Sequence, residues 1–214
     1  ELLQYEVHPA PMSWLARTYY NQGDYYSAQN WYQRCLGVAS NPQEKAVALH
    51  GLASIDLSKG DYPEAREKLE KALKIRQQVG DRVGEASTWH QLAIIDFRKG
   101  DYHAARENFE KALKLSKQIG DFEGEAAAWD NLGIIDLRRG DYQAAREKCE
   151  KALKIMQQIG DLAGEASTWH NLATIDSNEG DWQAAREKCE KALKIKQQIG
   201  DLAGEASTWH NLAM

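Results

Sequence analysis

Apolar residues along this chain recur three or four positions apart. Trp89, Leu92, Ala93 and Ile95 do so between one pair of Asp and Gly residues, and Ala105, Phe109, Ala112 and Leu113 between the next. The positions between them are mostly Glu, Lys, Gln and Arg, so each segment predicts an α-helix with one apolar and one polar face. Punctuation repeats as regularly. Gly60-Asp61, Gly100-Asp101, Gly140-Asp141 and Gly180-Asp181 form one series, and Gly80-Asp81, Gly120-Asp121, Gly160-Asp161 and Gly200-Asp201 a second, both with a period of 40 residues. Each Gly can take the left-handed conformation that ends a helix, and each Asp can cap the next one, so every period holds two helices. Gly23-Asp24 extends the first series, whereas Gly37 to Lys45, with Asn41-Pro42, is a shorter, irregular turn. The expected organisation is a single array: a lead-in over 1–10, repeats over 11–38, 42–79, 82–119, 122–159 and 162–199, and the first helix of a truncated sixth repeat over 202–214. A lone helix pair cannot cover both inward faces, so neighbouring pairs must stack.

The order Trp89, Leu92, Ala93, Gly100, Tyr102, Ala105, Phe109, Ala112 resembles the tetratricopeptide repeat signature. It recurs at Trp129, Leu132, Gly133, Gly140, Tyr142, Ala145, Ala152 and at Trp169, Leu172, Ala173, Gly180, Trp182, Ala185, Ala192. The resemblance implies an all-α fold, a right-handed superhelical solenoid of antiparallel helix pairs whose first helices line a concave, protein-binding face. The usual period is about 34 residues. Here no proline ends the second helix, and segments such as Lys74 to Gln78 carry it onward. The chain thus resembles the long-repeat subgroup found in scaffold proteins and in the sensor arms of signalling ATPases. Relatives that grip a chaperone's C-terminal carboxylate carry Lys and Arg where this chain has Ser87, His90, Asn131, Ser167 and Asn171, so that clamp is not expected.

A second departure is Asp56, Asp96, Asp136 and Asp176 where the signature has Tyr, each followed ten positions later by Arg66, Arg106, Arg146 or Arg186. The first repeat keeps Tyr19 and has Gln29 in place of the Arg. This joint substitution predicts an Asp–Arg bridge, either across the hairpin or between adjacent repeats.

Charged residues make up 28% of the chain and the formal charge is −5, with both signs interspersed, which argues against a nucleic-acid partner. No apolar run reaches the roughly 20 residues of a membrane span, and residues 1–6 lack the layout of a signal peptide. Cys149 and Cys189 hold equivalent places one repeat apart. With helices about 8–10 Å apart they are beyond disulfide reach, so these two and Cys35 are expected as buried, reduced thiols in a cytoplasmic protein. The chain opens without Met and closes inside a repeat, as an excerpt of a longer protein would.

Candidate chemistry is sparse. His50, His90, Asp130, His170 and His210 form a column on the first helices, but a helix spacing of about 8–10 Å cannot converge on a zinc ion whose ligands lie about 2 Å away. They are expected as solvated residues of the inner face. Trp89, Trp129, Trp169 and Trp209, and the series Tyr25, Tyr62, Tyr102, Tyr142, Trp182, are expected to pack between helices. Glu67–Lys71, Glu107–Lys111, Glu147–Lys151 and Glu187–Lys191 are expected as exposed pairs at four-residue spacing. No phosphate-binding loop, zinc-protease, paired Cys-x-x-Cys or nucleophile-elbow motif is present, so neither catalysis nor a cofactor or metal is expected.

The inner-face stripe remains. His50, His90, Gln91, Ile94, Phe97, Arg98, Asp130, Asn131, Ile134, Leu137, Arg138, His170, Asn171 and Thr174 are the candidate binding residues. Ile94, Phe97, Ile134 and Leu137 would supply an apolar patch, or else pack between neighbouring first helices. The amides would pair with a peptide backbone and the arginines with acidic side chains. The function expected is a scaffold that holds a peptide or helix from a protein partner. The rival is a sensor or self-assembly arm of a larger signalling protein, associating end to end: residues 161–173 recur unchanged at 201–213, and the chain stops without a polar capping helix.

Overall fold

The computed structural model describes residues 9–212, which form eleven helices and no strand. These are α1 (Pro9–Asn21), α2 (Tyr25–Val38), α3 (Pro42–Lys59), α4 (Tyr62–Val79), α5 (Arg82–Arg98), α6 (Tyr102–Ile119), α7 (Phe122–Arg138), α8 (Tyr142–Ile159), α9 (Leu162–Glu179), α10 (Trp182–Ile199) and α11 (Leu202–Leu212). None of them is long and apolar enough to cross a membrane. The expected lead-in falls largely outside the described residues, as do the last two residues.

The turns follow local chemistry. Gly80 ends α4 at φ 75°, and its N–H donates to the Arg76 carbonyl. Asp81 then caps α5 by accepting from the Gly84 N–H at 2.9 Å. A Cβ at Gly84 would strike the Asp81 carboxylate and the Arg76 side chain, so the cap needs glycine there. The irregular turn before α3 is a capping box, in which Asn41 accepts from Glu44 N–H, the Glu44 side chain returns to Asn41, and Pro42 starts the helix.

The chain divides into two compact units, 1–108 and 109–214, with the boundary inside α6. In the first, α1 packs on α2 and α3 on α4 as antiparallel hairpins, while α2 meets α3 and α4 meets α5. In the second, α7–α8 and α9–α10 are the hairpins, joined through α8–α9 and followed by α11 against α10. The cores cross these joints. Ala53 of α3 and Ala65, Leu69 and Leu73 of α4 are sealed by Leu92 and Ile95 of α5; Ala145, Cys149 and Leu153 of α8 are sealed by Leu172 and Ile175 of α9. Within each unit, then, a second helix finishes its core with the next repeat's first helix, as expected of an all-α helical-repeat solenoid.

Two of the Asp–Arg pairs run between repeats, whereas Arg186 pairs with Glu190 of its own helix. Arg66 of α4 bridges Asp96 of α5, and Arg146 of α8 reaches Asp176 of α9 at 2.7 Å while also holding Glu179. The hairpin's own partner is the residue two positions after the Arg: Lys68 to Asp56 at 2.6 Å, Lys148 to Asp136 at 2.5 Å, Lys188 to Asp176, and Asn108 to Asp96 at 2.9 Å. Asp176, 2% exposed, thus sits between cations from two repeats.

Candidate functional site

Core residues take one stripe of each first helix, and the candidate residues take the stripe beside it. On α3 this stripe carries His50 and Ser54, on α5 Ser87, His90, Gln91, Ile94 and Phe97, with Arg98 at the helix end. In the second unit α7 carries Asp130, Asn131, Ile134, Leu137 and Arg138, and α9 carries His170, Asn171 and Thr174.

The histidines are not the solvated residues expected. His50 is half-buried, with Nδ1 3.0 Å from Arg76 Nη1 and Nε2 3.5 Å from Ser87 Oγ. A guanidinium can only donate, so Nδ1 accepts and the imidazole is neutral. Burial, reinforced by Arg76, pushes its pKa down to about 3. Burial also lowers His90, and burial with Lys196 lowers His170. Asp130 is buried too. Burial raises its carboxyl, opposed by hydrogen bonds from Asn171, Thr168 and Cys149. The column fails as a water-facing surface because neighbouring helices supply its contacts, Arg76 and Ser87 to His50 and Asn171 to Asp130. The His210 side chain lies outside the described residues. Among those described, no three His, Cys, Asp or Glu converge on a metal position.

The amide nitrogens are likewise committed. Gln91 Nε2 donates to Ser54 Oγ at 2.9 Å and Asn171 Nδ2 to both Asp130 oxygens at 3.1 and 2.9 Å, tying neighbouring first helices together. Asn131 Nδ2 turns back to the Ala127 carbonyl at 2.8 Å, and Thr174 Oγ1 to the His170 carbonyl at 3.0 Å.

Ile94, Phe97, Ile134 and Leu137 are each half-buried. Phe97 leans on Tyr102, ring centroids 5.4 Å apart, and Leu137 rests on the α8–α9 core. Arg98 and Arg138 are exposed, and beside them stand Lys99 and Arg139, exposed and not singled out by the sequence reading.

Sequence reasoning also missed Arg76. Its Nη1 donates to the Gly84 carbonyl at 2.6 Å and to Thr88 Oγ1 at 2.5 Å, inside the α4–α5 joint. The signal was present: position 76 and its equivalents 116, 156 and 196 are Arg, Ser, Met and Lys in otherwise similar repeats.

The tryptophans pack as expected in the complete repeats. Trp129 and Trp169 donate to Glu125 and Glu165 of their own helices at 3.3 and 3.2 Å. Lys151 lies 4.8 Å over the Trp129 ring and Lys191 4.4 Å over the Trp169 ring, so these lysines leave the four-residue Glu pairing that Lys71 keeps with Glu67. Trp182 departs from its series and is 68% exposed, because Ser177 stands where Leu57, Phe97 or Leu137 supports the equivalent Tyr. Cys35, Cys149 and Cys189 are free and buried, and burial raises all three thiols.

Stacked hairpins with these joints are what the tetratricopeptide repeat model describes, and it matches residues 9–78, 44–118, 84–158 and 124–177. The chain belongs to the tetratricopeptide repeat family. Repeats of this family serve as protein–protein interaction scaffolds, which sets its general class. No curated protein matches the sequence. Among solved structures, BtubC (BKLC) from P. vanneervenii is similar at 25% identity and TM-score 0.75, covering 88% of this chain and 80% of that one. The STAND ATPase PH0952 from Pyrococcus horikoshii, with its tetratricopeptide repeat sensor, shares the fold at TM-score 0.82 and 20% identity. That match covers 94% of this chain and only 31% of the ATPase. A putative kinesin light chain from Podosopora anserina with nearly identical repeats has TM-score 0.68 and 21% identity, covering 91% and 98%.

Proposed function

We propose that this tetratricopeptide repeat chain is a non-catalytic scaffold, its repeats forming one array, that takes a peptide or helix from a protein partner along the groove of its first helices. The observation that carries this reading is Phe97, a ring propped on Tyr102 but left half open beside an exposed Arg98. Ile134, Leu137 and Arg138 repeat the combination on α7. With the amides engaged in the array, apolar contact and the cations remain for recognition. Three buried thiols suit a reducing compartment such as the cytoplasm. Panning a phage-displayed library of random short peptides tests the groove. Enriched peptides are expected to bind Phe97→Ala about tenfold more weakly, and binding indifferent to that change removes the reading.

A second reading, as a sensor or self-assembly arm, is favoured by α11, where Leu202 is 77% and Trp209 55% exposed. The fold likeness to the STAND sensor is compatible with it. Concentration-dependent sedimentation abolished by Leu202→Glu would select this role; a monomer at all concentrations would discard it.

A further inference from the structure

We infer that a second copy of this chain docks on one edge of the unit 109–214, the edge formed by the turns α6–α7, α8–α9 and α10–α11, with the two copies related by a two-fold axis. This goes beyond the groove reading and does not rest on it.

Antiparallel hairpins give this unit two edges of opposite character. The turns inside hairpins are polar and exposed, with Arg138-Arg139 before Gly140 and Asn178-Glu179 before Gly180. The turns between hairpins are apolar. Phe122 is 56% exposed, Ile159, Ile199 and Leu202 are exposed, and Ile119 and Leu162 are half-buried. Each turn presents one apolar side chain from the end of a second helix and one from the start of the next first helix.

The fold does not require these side chains. In the unit 1–108 the equivalent of Phe122, Leu162 and Leu202 is Arg82, exposed and paired with Glu85 at 3.3 Å, and α5 forms as the other first helices do. Apolar surface left in water costs about 25 cal/mol per Å², so its return at the same place in three successive turns marks an interaction surface.

Charge selects a second copy as the cover. The chain carries −5, so two copies meet best where exposed charge is scarce. Asp121, Asp161 and Asp201 are spent as caps, accepting from the N–H groups of Gly124, Gly164 and Gly204 at 3.0, 2.9 and 2.9 Å. Apart from those caps, segments 157–164 and 197–204 hold no ionisable residue. Segment 117–124 adds Lys117, paired with Glu125 at 3.7 Å, and the exposed Glu123. A two-fold axis through the middle turn sets 157–164 against itself and 117–124 against 197–204 of the second copy. Glu123 then meets a turn whose one charge is a capping Asp, and the apolar side chains match turn for turn because both rows come from the same repeat. The three segments together are about the size of one side of a standard interface, roughly 20–30 residues. End-to-end contact through α11 would leave Phe122 and Ile159 uncovered.

The test follows the whole chain by sedimentation equilibrium over a concentration series, and a dimer that grows no further is expected. F122E and I199K are each expected to weaken association about tenfold or more; a carboxylate suits a helix N-terminus and an ammonium a helix C-terminus, so both variants should fold, which circular dichroism checks. Mixed in equal amounts, the two variants are expected to associate again, since the axis brings the introduced carboxylate of one copy beside the introduced ammonium of the other. R138E/R139E, on the opposite edge, is expected to leave the dimer unchanged.

A monomer at all concentrations overturns the inference, as does association that F122E leaves intact or that R138E/R139E weakens equally. Assemblies that grow beyond two copies and are lost only with Leu202→Glu would replace the edge with end-to-end contact. A mixture of F122E and I199K as weak as either alone would remove the two-fold arrangement and the inference with it. Peptide binding in the groove, measured separately, stands or falls on Phe97 whatever these results.

Discussion

The half-buried histidines give the protein a pH response that can be calculated in sign. His50 ordinarily titrates near 6.5, and in the fold it is held neutral to about 3 by burial and by Arg76. Below about pH 6.5 the unfolded chain takes up a proton that the folded chain refuses, so stability falls as pH drops through that window and levels off near 3. From pH 7 to about pH 5 the loss from His50 is about 2 kcal/mol, and His90 and His170 act in the same direction. Asp130 acts oppositely, because its raised carboxyl favours the fold on acidification. Urea unfolding at the two pH values measures the difference. His50→Gln, which keeps an acceptor for Arg76, is expected to flatten it, and an unchanged pH dependence would mean the imidazole is not held neutral. Glycine at Gly51 has an equally local cause, since a Cβ there would meet the Tyr32 ring.

At the scale of elements, the joints between repeats are clamped by carboxylates that each serve two helices. Asp176 accepts from Lys188 of its own hairpin and from Arg146 of the preceding one. Asp176→Asn removes the charge that both cations need, and is expected to cost about 3 kcal/mol in chemical denaturation. Arg146→Gln leaves Lys188 in place and is expected to cost less. Equal costs for the two substitutions would mean that the inter-repeat bond matters as much as the carboxylate itself.

At the scale of the whole molecule, cores are shared between neighbouring repeats within each unit. Ile95 belongs to α5 yet completes the cluster of Ala53, Ala65, Leu69 and Leu73 on α3 and α4. Ile95→Ala is expected to destabilise by about 3 kcal/mol. Amide hydrogen exchange should quicken in α3 and α4 as well as in α5. Faster exchange confined to α5 would show that the preceding hairpin is stable by itself.

The helices, their ends and their pairing were legible in the residues, because glycine conformation, Asp caps and apolar spacing act over a few positions. The choice between a hairpin bridge and an inter-repeat bridge was not, since Arg66 meets Asp96 thirty positions away only once α4 has stacked on α5. Nor could sequence tell that His50 and Asp130 would be enclosed, or that Gln91 and Asn171 would tie first helices together, for a stripe beside the core looks polar and free until a neighbouring helix closes over it. Local rules therefore determined the elements, and stacking decided which side chains remain open: Phe97 and Leu137 in part, with Arg98, Lys99, Arg138 and Arg139 beside them.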